Sequence, residues 1–97
     1  MSKKQREQLV SYLNEQMHEY EWQAELRKNI DPDMAAYCKF EALKFRLKVD
    51  ELTHTPEKYK ELYKEWVKGV VSPEEYANID NYFEEKYGVP ATKEAIA

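Results

Sequence analysis

Three times in this chain a capping residue, a proline and an acid follow one another: Asp31-Pro32-Asp33, Thr55-Pro56-Glu57 and Ser72-Pro73-Glu74. Proline is barred from a helix interior, yet its fixed φ suits the first helical position, where no N–H is needed. The Asp, Thr or Ser before it offers an oxygen to an orphan backbone N–H, and the acid after it lies at the positive end of the helix dipole. Ser72 and Glu75 also match the S-x-x-E capping box. The only glycines, Gly69 and Gly88, fall where helices should stop. These marks delimit helices at about 3–29, 32–52, 56–68 and 73–87. No strand alternation and no Asn-Gly or Asp-Gly hairpin turn appears. The expected fold is all-α, a small four-helix arrangement with a long N-terminal helix, in one domain over 1–90 with a short tail over 91–97.

At 97 residues there is chain enough for one domain with a modest core. Eight tyrosines, two tryptophans and three phenylalanines are too many aromatics for a disordered chain. No apolar run approaches the ~18 residues of a membrane span, and no signal-peptide core follows Met1. The single cysteine, Cys38, agrees with a reducing compartment, so the expected location is the cytoplasm.

Helical periodicity assigns the faces. Leu9, Val10, Leu13, Met17, Tyr20 and Ala24 share an arc of roughly 100° on helix 1. That helix would be roughly 40 Å long, against a radius of gyration of about 13 Å for a globule of this size. It is expected to project or to pair with a second copy. Helix 2 is apolar on two sides: Ala36, Phe40, Leu43 and Leu47 form one stripe, and Met34, Cys38, Ala42, Phe45, Val49 and Leu52 the opposite one. It suits the centre of the arrangement or a dimer interface. Helix 3 offers Tyr59, Leu62, Tyr63, Trp66 and Val67 opposite its lysines and glutamates; helix 4 offers Tyr76, Ile79, Phe83 and Tyr87.

Catalytic chemistry finds little support. Glu15-x-x-His18 and Glu51-x-x-His54 repeat the spacing of carboxylate-bridged di-metal bundles. However, Glu15 and His18 point away from the core stripe, and Glu51 and His54 fall at a helix end before Pro56. Solvated side chains are the simpler reading, and no metal or cofactor is expected. Cys38 lies in an apolar stripe, where cysteine acts as a small hydrophobe. Both glycines serve helix ends, so no phosphate-cradling loop remains. The chain is read as a non-enzyme.

Two surfaces stand out as partner-binding candidates. Trp22, Leu26 and Ile30 lie opposite the core stripe of helix 1, spaced like an interface anchor unless the following loop folds back over them. Helix 4 carries Glu74, Glu75, Asp80, Glu84 and Glu85. Residues 1–30 and 31–68 are each charge-balanced, whereas 69–97 hold two lysines against six acids, which is the whole net charge of −4. Either helix 4 is simply solvated, or it faces a basic partner. Direct nucleic-acid binding is not expected, since no basic surface exists for phosphates.

The stretch Lys68-Gly69-Val70-Val71-Ser72-Pro73-Glu74-Glu75-Tyr76-Ala77-Asn78-Ile79-Asp80 resembles the SHOCT-type short helical hairpin. Its pattern is a helix ending in glycine, two aliphatics, Ser/Thr, two acids and an aromatic. Similar segments recur in small proteins of bacterial mobile elements and prophages. The resemblance covers about a fifth of the chain and implies oligomerisation or protein contact, with no catalytic residues to carry over. The expected function is a protein-binding module, of phage or mobile-element origin, that modulates or inhibits a larger, nucleic-acid-handling host protein. The alternatives are a self-associating structural or transcription-linked protein, and more remotely a metal-dependent helical enzyme.

Overall fold

A computed structural model describes residues 1–90 as five helices: α1 (Lys3–Arg27), α2 (Pro32–Thr53), α3 (Pro56–Val67), α4 (Pro73–Ala77) and α5 (Ile79–Tyr87). No strand occurs among the described residues. The expected tail over 91–97 lies outside them. Within the span that the sequence marks as one domain, contacts gather in two compact units, Met1–Thr53 and a second beginning at His54.

The first unit is a helical hairpin. A capping box opens α1: Ser2 Oγ accepts from the Gln5 N–H at 3.1 Å, and Gln5 Oε1 accepts from the Ser2 N–H at 2.9 Å. The helix ends two residues earlier than expected, in a turn where the N–H groups of Ile30 and Asp31 both bond to the Arg27 carbonyl. Asp31 then caps α2, its Oδ1 accepting from the Met34 N–H at 3.2 Å. The two helices run antiparallel, with Tyr20 stacked on Phe45 at 5.7 Å and Glu21 beside Arg46 at 3.5 Å. Buried between them are Leu13, Met17 and Ala24 from α1 and Ala35, Cys38 and Ala42 from α2. Towards the connecting turn the seam is therefore made of small residues, which let two helix backbones come close.

Helix 1 thus finds its partner within its own chain, along a helix of nearly equal length. Of the two stripes on helix 2, the one containing Cys38 and Ala42 forms the seam. On the other, Ala36 and Phe40 are exposed and Leu43 and Leu47 half-buried. The seam asks for one apolar stripe, so Phe40 has no place in it.

The second unit has an aromatic centre. Thr55 and Ser72 cap α3 and α4 through bonds to the N–H groups of Lys58 and Glu75. Gly69 (φ +82°) ends α3, and Gly88 (φ +70°) ends α5. Phe83 has no exposed surface and lies within 5.1–5.4 Å, ring to ring, of Tyr59, Tyr63, Tyr82 and Tyr87. Val67, Ile79 and Val89 are also buried in this unit.

The expected fourth helix is two helices. The break falls at Asn78 (φ −85°, ψ −3°), whose N–H reaches the carbonyls of Glu74 and Glu75. That bridge-region geometry closes one helix and opens the next.

Candidate functional site

Large apolar side chains gather on the outside of the hairpin near its turn. Trp22 is 57% exposed, Leu26 50% and Ile30 85%, so the turn after α1 does not cover them. Across the turn, Met34, Tyr37 and Phe40 are 42–53% exposed. Lys44 Nζ lies 5.6 Å from the Phe40 ring centre, a cation–π contact on the outer side of α2. Sequence reasoning missed Tyr37 and placed Phe40 in a stripe suited to the centre of the arrangement or to a dimer interface. The available signal was the i, i+3 spacing of the two on a helix whose opposite face already supplied a full stripe. Exposed tryptophan, methionine, tyrosine and phenylalanine flanking one turn are residue types enriched at the centre of protein interfaces.

The acidic residues of α4 and α5 do not form one surface. Glu74, Glu84 and Glu85 are exposed. Glu75 is exposed too, but its Oε1 accepts from the Ser72 N–H at 3.3 Å and completes the capping box. Asp80, expected on the open flank, is an internal ion-pair partner. Its carboxylate lies 2.7 Å from Lys60 Nζ and 3.3 Å from Lys64 Nζ. Lys60 is buried, and its ammonium also donates to the Pro90 carbonyl at 3.3 Å. A buried lysine must be paired, and Asp80 is what pairs it. The hydrogen bond from Lys60 holds the Asp80 carboxyl below its ordinary range, with Lys64 adding to the effect and partial burial opposing it. Asp80 is therefore withdrawn from the partner-facing set, and the available acids are Glu74, Glu84, Glu85 and one oxygen of Glu75.

One member of each Glu-x-x-His pair is engaged elsewhere. His18 Nδ1 is 3.1 Å from Glu21, and Glu51 accepts from Lys48 at 2.8 Å. Among the described residues, no group of three or more His, Cys, Asp or Glu side chains could hold a metal ion. Glu15 and His18 line an open cavity of about 640 Å³ at the free end of the hairpin, with Lys3, Arg6, Val10 and Leu52. Glu7, Ser11, Asn14 and Thr53 complete its lining, so two basic and two acidic residues face it beside His18. Cys38 is buried in the seam as a free thiol, the small-hydrophobe role expected of it.

Comparison with protein families, curated proteins and solved structures finds no match. The surfaces themselves must carry any functional reading. No described helix is long and apolar enough to cross a membrane.

Proposed function

We propose that the chain is a non-enzymatic protein-binding module that modulates a larger partner through the outside of its hairpin turn. One observation carries this reading: Trp22, Leu26 and Ile30 stand exposed while the seam beneath them is filled by Ala24, Ala35 and Cys38. A chain that needed those large side chains for stability would have placed them in the seam, since burying one is worth about 1.5–3 kcal/mol. Their exposure suits a surface that is covered on binding. The exposed Glu74, Glu84 and Glu85 favour a partner with basic character, and the SHOCT-type stretch agrees with protein contact and with a phage or mobile-element setting. An inhibitor seated on the basic groove of a nucleic-acid-handling host protein is the concrete form of this proposal.

The test is capture from nuclease-treated lysate, comparing the natural chain with Trp22→Ala/Leu26→Ala. One large protein retained by the first and lost by the second supports the reading. Equal capture by both sinks it. A second reading, self-association, draws on the exposed Tyr37 and Phe40 and on the near-neutral hairpin, with nine basic and ten acidic residues in 1–53. A dimer mass that falls to a monomer in Phe40→Ala would favour it.

A further inference from the structure

In the second unit a small cavity of about 220 Å³ opens beside the helix break, lined by Tyr63, Val71, Glu75, Asn78, Ile79 and Tyr82. It is smaller than the roughly 300–1,000 Å³ of small-molecule sites and has room for one long side chain. The rings of Tyr63 and Tyr82 stand 6.3 Å apart at 31° and form an aromatic wall, with Ile79 and Val71 supplying apolar surface. Two acceptors lie on the polar side. Glu75 uses Oε1 for its capping bond, which leaves Oε2 to accept another. Asn78 stands at the cap position of α5, yet its side chain makes no capping hydrogen bond.

Aromatic faces in this unit already hold cations. Lys64 Nζ lies 5.6 Å from the Tyr76 ring centre, and Lys86 Nζ lies 5.5 Å from that of Tyr82 and 5.4 Å from that of Tyr87. The Tyr63 hydroxyl is harder to ionise than usual, through burial first and then through Tyr82 and the nearby Glu75 carboxylate. Residues 54–90 carry five basic and eight acidic side chains, a net acidic stretch, with Lys86 at the wall, where its ammonium donates to the Tyr82 hydroxyl at 3.1 Å. An electron-rich wall, a free carboxylate oxygen and an amide oxygen suit a planar cation that stacks and donates in a fork. Arginine does both, whereas lysine is a compact, strongly hydrated point charge.

We infer that this cavity seats an arginine side chain of a basic partner segment, its guanidinium against Tyr63 and Tyr82 and its N–H groups on Glu75 Oε2 and the Asn78 side-chain oxygen. The inference deepens the binding-module reading and rests on it for the partner, but the cavity can be tested by itself.

The probe is an N-acetylated, C-amidated Gly-Arg-Gly peptide, titrated into the isotope-labelled full chain and followed residue by residue by NMR. The citrulline peptide, of the same shape without the charge, is the control. The expected result is saturable shifts centred on Tyr63, Glu75, Asn78 and Tyr82, and about 3–10-fold weaker binding of the citrulline peptide. Tyr82→Leu should weaken arginine binding by a similar factor. Glu75→Gln should weaken it about threefold or more while keeping the capping box, which accepts Gln as readily as Glu, so this variant guards against loss of fold. Equal response to both peptides, or shifts spread over Glu74, Glu84 and Glu85 that survive Tyr82→Leu and Glu75→Gln, would overturn the assignment. Trp22→Ala/Leu26→Ala should leave the titration unchanged. Arginine binding without Trp22-dependent capture would therefore reject the wider reading and keep the cavity, and the reverse result would do the opposite.

Discussion

The two units solve the same packing problem with opposite materials. Towards the turn of the hairpin, small side chains make the seam and large ones stand outside: Ala24 and Cys38 are buried while Trp22 and Phe40 are half exposed or more, and Leu13 and Met17 fill the seam further along. In the second unit the largest fully buried side chain is Phe83, ringed by four tyrosines, and even a lysine is buried through its pairing with Asp80. The contrast follows from element length. Helices of 25 and 22 residues accumulate many small contacts along one seam. Helices of 12, 5 and 9 residues have few positions each, so each buried side chain must contribute more area. What long helices gain is freedom on the outside.

If that contrast is right, damage should scale with what is removed from the core rather than with residue size. Phe83→Ala should cost about 3–5 kcal/mol, read as faster amide exchange through α3 and α5 with less change in α1 and α2; equal loss in the hairpin would break the comparison. Lys60→Ala should cost about 1–3 kcal/mol, because it removes a charge-assisted bond from Asp80. In the hairpin, Ala42→Leu should cost about 1–3 kcal/mol by forcing the seam apart, and a neutral result would mean that the seam is looser than its burial implies. Trp22→Ala should change stability by less than about 0.5 kcal/mol while abolishing partner capture. Unfolding of that variant in urea at an unchanged midpoint would confirm that Trp22 serves the surface and not the fold.

Acid acts on the second unit through Asp80, whereas the carboxyl lowered in the hairpin, Glu25 beside Lys28, is fully exposed. The Asp80 carboxyl titrates lower in the folded chain than its ordinary value near 3.8. Its contribution is complete above that value and is lost as pH falls through the lower, folded one. Urea midpoints measured for the second unit between pH 5 and pH 2 should therefore fall, and Asp80→Asn should flatten that fall.

Much of this fold was legible in the chain because its signals are local. Every proline-marked start is a helix start, and both glycines adopt positive φ at helix ends. The core stripe of helix 1 reads correctly, since Leu13, Met17 and Ala24 are buried and Leu9, Val10 and Tyr20 half-buried. The break at Asn78 was hidden because Tyr76, Ile79, Phe83 and Tyr87 keep helical spacing across it. Asn78 followed by Asp80 is itself a start signal, but it was masked by that rhythm.

The remaining misreadings are tertiary. Lys60 lies among lysines and glutamates that all look solvated, and Asp80 among acids that look like one strip. Nothing within twenty residues says that these two belong together. Helix 2 posed the same difficulty, because two stripes of similar quality cannot reveal which will meet α1. Exposure of Trp22 was decided by the turn over 28–31, whose path the sequence left open.

The alanine and cysteine seam has a consequence for how such a surface can change over generations. Side chains as short as these have almost no rotamers to rearrange, so near the turn the fit between α1 and α2 is insensitive to what stands on their backs. Replacements at 22, 26, 30, 37 and 40 can accumulate without a compensating change inside. A hairpin built this way can change the character of its outer surface at nearly constant stability.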